Sequence, residues 1–85
     1  MCRYLGGVLG SDGKIFGMPA NAEAVLQIDP ATEGVALVGG PFVGENKWQN
    51  GYLAPDGAVY GIPLRAEAVL RIAPDNAGAC RRVRG

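Results

Sequence analysis

The sequence predicts an all-β chain built from two copies of one four-stranded antiparallel unit, and three observations carry that expectation. Slid against itself by 44 positions, GGVLGSDGKIFGMPANAEAVLQIDPATEG falls on NGYLAPDGAVYGIPLRAEAVLRIAPDNAG without a gap. Self-similarity at a fixed period of this length marks a repeat architecture. Asp-Gly lies between short apolar runs in both copies, at 12–13 and 56–57, and that dipeptide is the strongest local hairpin signal. Fourteen glycines and six prolines punctuate the 85 residues, a density that favours turns and short strands over long helices.

The elements follow in order. The first strand of each copy is the apolar run 7–10 or 51–54, stopped by the Asp-Gly turn. The second is 14–18 or 58–62, closed by Pro19 or Pro63, whose missing N–H cannot extend a ladder. A loop, 20–23 or 64–67, leads to AEAVL. Propensity alone makes that stretch helical. A helix there would have about eight residues before Pro30 and no N-cap, too few to hold by itself. Glu23 and Ala24 are therefore expected to begin a third strand, with Leu26 and Ile28 on one face. Asp29-Pro30 and Ala73-Pro74 open a turn. The fourth strand is 35–38 or 79–83.

Framework residues recur between the copies: Gly7/Gly51, Leu9/Leu53, Asp12/Asp56, Gly17/Gly61, Pro19/Pro63, Glu23/Glu67, Leu26/Leu70 and Ile28/Ile72, with Tyr4/Trp48 keeping aromatic character. Four short strands every ~40–45 residues is the period of a β-propeller blade. The pattern W-x-x-G-x-L-x-x-D-G-x-V-Y-G-x-P-x-x-A-x-x-V-L-x-I-x-P, from Trp48 to Pro74, resembles NHL- and kelch-like propeller repeats. It looks closest to a blade-like repeat found in long arrays in microbial proteins. The resemblance implies two four-stranded antiparallel propeller-like blades, residues 1–47 with a linker and residues 48–85, completed to a closed ring by oligomerisation. The chain departs from the kelch pattern where Gly39-Gly40 become Val83 and Arg84. Repeats of this class serve enzymes, scaffolds and sugar or peptide binders alike, so the resemblance implies shape more than activity.

Hydrophobic residues make up 48% of the chain, which argues against disorder. A chain this short buries only about 60% of its unfolded surface. Runs such as 14–18 and 35–38 are apolar on both faces, and two units cover only the faces they share. An exposed apolar face on a small chain marks an interface or an aggregation hazard. Two readings follow: several chains join head to tail into a ring of about four to eight blades, or the chain is a piece of a longer array. Between residues 4 and 41 the charges are Asp12, Glu23, Asp29 and Glu33 against Lys14. Between 48 and 85 they are Asp56, Glu67 and Asp75 against Arg65, Arg71, Arg81, Arg82 and Arg84. In a ring the acidic unit would meet the basic one.

The net charge is zero and implies neither a nucleic-acid nor a membrane partner. Arg81-Arg82-Val83-Arg84 is taken as a charged guard on an edge strand. No apolar run approaches the ~20 residues needed to span a bilayer, and residues 1–4 do not resemble a signal peptide, so a cytoplasmic location is expected. Cys2 and Cys80 are the only cysteines and there is no histidine. Neither a disulfide framework nor a four-ligand zinc site is expected, and both thiols are taken as unpaired.

The catalytic inventory is thin. Ser11 is the only serine, and its surroundings lack the first glycine of a nucleophile elbow. Without histidine there is no Ser-His or Cys-His pair, and no phosphate-binding glycine motif or EF-hand spacing occurs. Asp12 and Asp56 are taken as turn residues. Glu23 and Glu67 either ring one face, where they would bind a cation or basic peptide, or satisfy backbone donors or a nearby arginine. Inside the repeated loop Ala20 becomes Leu64 and Asn21 becomes Arg65, and variable loop positions are where recognition is written. The linker 41–49 should open on the same end, with Trp48 packed like Tyr4 or stacked on a ligand.

The expected function is a non-catalytic propeller-type module for binding or scaffolding, with no cofactor or metal. It would self-associate through its exposed faces and take a peptide, protein or sugar ligand through Asn21, Arg65 and Trp48. The alternative is a subunit or fragment of a lactonase-like hydrolase with metal-bound carboxylates between blades. The inner strands, with Gly7, Val8, Leu9, Gly51, Tyr52 and Leu53, offer no such carboxylates.

Overall fold

The computed structural model describes residues 3–73 and 80–83. Eight strands occur in chain order: β1 (Tyr4–Leu9), β2 (Ile15–Pro19), β3 (Val25–Asp29), β4 (Gly34–Val38), β5 (Trp48–Leu53), β6 (Val59–Pro63), β7 (Val69–Ile72) and β8 (Cys80–Val83). They form two four-stranded antiparallel sheets, each in simple meander order, β1-β2-β3-β4 and β5-β6-β7-β8. The fold is all-β, and the sheets do not close into a barrel. Among the described residues no helix is long and apolar enough to cross a membrane. Cys2, the turn opened at Pro74, residue 79 and Arg84 lie outside the described residues.

Local chemistry explains the turns. Gly13 and Gly57 take φ of 84° and 87°, a region that costs glycine nothing. The carboxylate of Asp12 accepts the Lys14 N–H at 3.0 Å, and that of Asp56 accepts the Ala58 N–H at 2.9 Å. Asp29 holds the next turn in the same way, accepting the Ala31 N–H at 3.0 Å. These aspartates close turns.

Two expectations about strand limits need correction. Glu23 and Ala24 do not begin the third strand, which starts at Val25. The Phe42 N–H in the linker takes the Glu23 carbonyl at 2.7 Å, and the Ala20 and Ala22 N–H groups both go to the Arg3 carbonyl. That stretch is thereby bonded as a loop. The first strands begin three residues earlier than the apolar runs, at Tyr4 and Trp48. Each is carried through a bulge, at Gly6 with φ of 77° and at Asn50 with φ of 49°. An extra residue in left-handed conformation lets the strand continue with a kink.

The pleat divides each sheet into two faces. In the first, Phe16, Met18 and Val25 point to one side and are fully covered. Ile15, Gly17, Leu26 and Ile28 lie on the other, in paired register. In the second, Val59, Leu70 and Ile72 share the covered face. The covered faces meet, with β1 beside β5 and β2 also against β5. They enclose one core of Phe16, Met18, Val25, Phe42, Trp48, Val59, Leu70 and Ile72. Each such large side chain contributes about 1.5–3 kcal/mol by leaving water. The sheets also approach closely where Met18 lies against the second sheet. A Cβ at Gly51 or Gly61 would stand 3.1 or 3.0 Å from the Met18 sulfur, so a larger residue at either position requires the Met18 side chain to shift.

Candidate functional site

Both units direct the same features to one end of the molecule. In the first, the loop 20–24 is tied to Arg3 by the bonds described above. In the second, the Leu64 and Ala66 N–H groups both donate to the Lys47 carbonyl, at 2.9 and 3.1 Å. Lys47 stands 44 residues after Arg3, so the two anchors are repeat equivalents. The linker joins the units at this end. The Lys47 N–H donates to the Ala20 carbonyl at 3.1 Å, the Arg65 N–H to the Asn46 carbonyl at 3.0 Å, and the Asn46 N–H to the Asn21 side-chain oxygen at 2.8 Å.

The Lys47 side chain turns inward and is 3% exposed. Its ammonium donates to the carbonyls of Ala20, Ala22 and Gly44 at 2.8, 2.8 and 2.9 Å. All three of its donors are thus used. Burial lowers its pKa from the ordinary lysine value, Glu23 opposes that shift, and Arg82 adds to it.

Two clefts open at this end. The larger, about 510 Å³, lies between the linker and the loop 64–68 and is lined by Val43, Glu45, Lys47, Arg65, Glu67 and Arg82. The smaller, about 330 Å³, is lined by Arg3, Tyr4, Asn21, Glu23 and Leu37 among others. The clefts are repeat equivalents: Arg3 answers to Lys47, Asn21 to Arg65, and Glu23 to Glu67. The same backbone concavity has been lined twice with different side chains. In the larger cleft Arg82 lies 5.2 Å from the Phe42 ring centre and 5.8 Å from that of Trp48. Such stacking fixes a guanidinium in place. The cleft therefore presents arginine and glutamate side chains on a built floor, suited to ion pairing and hydrogen bonding with a polar ligand.

Of the residues singled out by sequence, Arg65 lines the larger cleft and Asn21 the smaller. Asn21 also bonds the linker. Trp48 lines neither cleft and is fully buried. Its indole N–H donates to the Ala68 carbonyl at 2.8 Å, and Phe42 meets it edge-on at 5.3 Å. Its position is that of a packing residue. Sequence reasoning missed Lys47, Phe42 and the stacked Arg82. The one available signal was a cation at both Arg3 and Lys47.

Elsewhere, the Tyr60 hydroxyl donates to Asp56 at 2.9 Å, and Arg71 donates to the Tyr60 oxygen at 3.2 Å. The Ala58 N–H, followed by Tyr60, holds the Asp56 carboxyl below its ordinary pKa. Among the described residues no three His, Cys, Asp or Glu side chains cluster to hold a metal.

Cys80 is a half-buried free thiol, and burial pushes its pKa from 9.0 up to about 11. The thiolate of the folded chain thus forms at higher pH than that of the unfolded one. Stability from this group is therefore complete below pH 9.0 and is lost as pH rises towards 11. In a Cys2→Ala variant, ultraviolet titration of the folded thiol is expected to show a midpoint near 11, moving to about 9 in urea. A folded midpoint at 9 would contradict this burial.

No protein-family model matches this chain, and no curated protein or solved structure matches it either.

Proposed function

We propose that this chain is a non-catalytic, propeller-type repeat module for binding or scaffolding, acting as an assembly or as part of a longer repeat array. Its recognition end is the one that carries the two clefts. The observation that supports this reading is their relation: two concavities on one repeated framework whose linings have diverged, Asn21 against Arg65 and Arg3 against Lys47. A framework is held constant by folding, whereas lining side chains free of that constraint are where specificity is written. The larger cleft, with Arg65, Arg82, Glu45 and Glu67, suits a charged peptide segment or an acidic sugar.

Arrays of acidic and basic peptides and of acidic oligosaccharides, probed with the labelled chain, test the reading. Binding is expected on one of these classes. Arg65→Ala, at an exposed position, is expected to lower the affinity about tenfold, the worth of roughly one charge-assisted hydrogen bond, without changing the circular dichroism spectrum or the melting temperature. Binding unaffected by Arg65→Ala would place recognition elsewhere.

A further inference from the structure

The seam between the two sheets has unlike sides. The first unit supplies a plug, the Met18 side chain. The second supplies a socket floored by Gly51 and Gly61, with Val8 and Met18 against the first and Met18 against the second. The repeat places another socket and another plug on the outer faces. Gly7 and Gly17 are the counterparts of Gly51 and Gly61. A Cβ at Gly17 would meet Leu26 atoms at 3.3 and 3.6 Å, the same distances at which Gly61 meets Leu70. The socket geometry is thus reproduced within the first sheet. The nearest atoms to Gly7 and Gly17 all belong to their own sheet, so no plug fills the site. On the far side, Ile62 is the counterpart of Met18 and is 39% exposed where Met18 is 0%. Leu64 is 49% exposed where its counterpart Ala20 is 0%, and Tyr52 is 61% exposed.

We infer that the outer face of the second unit docks on the outer face of the first unit in a second copy of this chain, with Ile62 entering the Gly7–Gly17 socket. The inference rests on the assembly reading above and adds which faces meet. Three observations select a second copy as the occupant. The socket repeats the glycine pair and the leucine spacing of one that this chain already fills with its own side chain, with the Tyr4 ring beside it, 3.7 Å from a Cβ at Gly17. Arg3, the counterpart of Lys47, lies at the rim where it would reach the Leu64 and Ala66 carbonyls, as Lys47 reaches those of Ala20 and Ala22. The acidic excess of residues 4–41 and the basic excess of residues 48–85 attract across such a junction.

The junction is not a strict copy of the seam. Tyr52 and Leu64 are bulkier than Val8 and Ala20, and Asn50 has a side chain where Gly6 has none, so it stands wider on that side. Because the two faces differ, the contact is heterologous: it propagates until the rotation closes a ring, or continues as a filament.

Two variants with opposite defects test the inference. Gly7→Val fills the socket, and the nearest atoms, at 3.7 and 3.9 Å from the new Cβ, leave room for it in the lone chain. Ile62→Asp places a charge on the exposed plug. In sedimentation velocity the unaltered chain is expected to show a multi-chain mass and each variant alone the 8.8 kDa of one chain. An equimolar mixture of the two is expected to give a two-chain species, because one retains the plug and the other the socket. Arg3→Glu, at an exposed position, is expected to weaken assembly about tenfold, roughly the loss of one charge-assisted contact. Circular dichroism of each variant should match that of the unaltered chain.

If the unaltered chain assembles and all three variants assemble equally well, the docking faces are wrong and the assembly reading survives. If the two variants are monomeric but their mixture stays monomeric, the head-to-tail order is wrong. If the unaltered chain remains single up to about 1 mM, weaker than any specific docking, both the inference and the assembly reading fall.

Discussion

Replacing Trp48 by alanine is expected to unfold most of the chain at room temperature. Trp48 is fully buried at the junction of linker and core, edge-on to Phe42 at 5.3 Å and beneath Arg82 at 5.8 Å. Truncating a buried tryptophan costs about 3–5 kcal/mol in lost transfer energy and residual cavity. The Ala68 carbonyl, which accepts the indole N–H at 2.8 Å, also loses its partner, and an unmet buried acceptor costs about 1–3 kcal/mol. A whole domain has only about 5–15 kcal/mol of stability, and a chain of this size lies near the lower end. Urea titration followed by far-ultraviolet circular dichroism checks this, since the fluorescence probe is itself removed. Trp48→Phe keeps an aromatic ring in place and loses the indole hydrogen bond, and should retain a cooperative transition with a lower midpoint.

The repeat supplies an internal control. Tyr4 occupies the position of Trp48 in the first unit but is only half-buried. Tyr4→Ala should cost clearly less, about 1–2 kcal/mol from the apolar area it covers. If the two substitutions proved equal, Trp48 would not be the centre of the seam. Should assembly cover the first unit's outer face, the Tyr4→Ala penalty would rise with protein concentration, while that of Trp48→Ala would not.

Much of the architecture was legible because its causes are local. Asp-Gly, Asp29-Pro30 and the prolines that end β2 and β6 act on their own backbone neighbours, so their roles can be read without knowing what packs on them. The 44-residue register carried the strand order from one copy to the other. The misplaced elements have distant causes. Whether Glu23 begins a strand depends on the Phe42 N–H, nineteen positions away in the linker, which captures its carbonyl. Early starts of β1 and β5 require bulges at Gly6 and Asn50, and an asparagine gives little local sign that it will adopt φ of 49°.

The candidate site was legible only in part, for the same reason. Asn21 and Arg65 stood out because they differ inside a repeated loop, and each lines one of the two clefts. Arg82 suggests an edge-strand charge until the fold brings Phe42 and Trp48 beneath it. Of the two readings of Trp48, packing and ligand stacking, its full burial in the seam, with the indole N–H on the Ala68 carbonyl, favours packing. Position along the chain gave the loops; which side chains face the opening depended on packing between units.

Removal of the Lys47 ammonium is expected to be the second severe change, and it separates a structural cation from a ligand-binding one. The group lies at the edge of the larger cleft, where a lysine invites reading as an anion site. Its three donors are instead consumed by the Ala20, Ala22 and Gly44 carbonyls, all within 2.9 Å. Those carbonyls come from the first unit's loop and from the linker, so one side chain fastens two segments of backbone. Lys47→Met preserves most of the apolar stem and removes the ammonium from the Ala20, Ala22 and Gly44 carbonyls, of which Ala20 keeps only the Lys47 backbone N–H. Charge-assisted bonds are worth about 1.5–3 kcal/mol each but are not additive here, so a loss of roughly 3–4 kcal/mol is expected. Lys47→Arg keeps the charge, yet a planar guanidinium directs its donors outward in a fork and cannot converge on three carbonyls as an ammonium does. It should therefore recover only part of the loss. The corresponding change Arg3→Met, on an exposed side chain, should leave the denaturation midpoint of the dilute chain nearly unchanged. Equal sensitivity at both positions would mean that Lys47 is not the fastening between units. A Lys47→Met chain with unaltered stability would mean that the ammonium is available to a ligand after all.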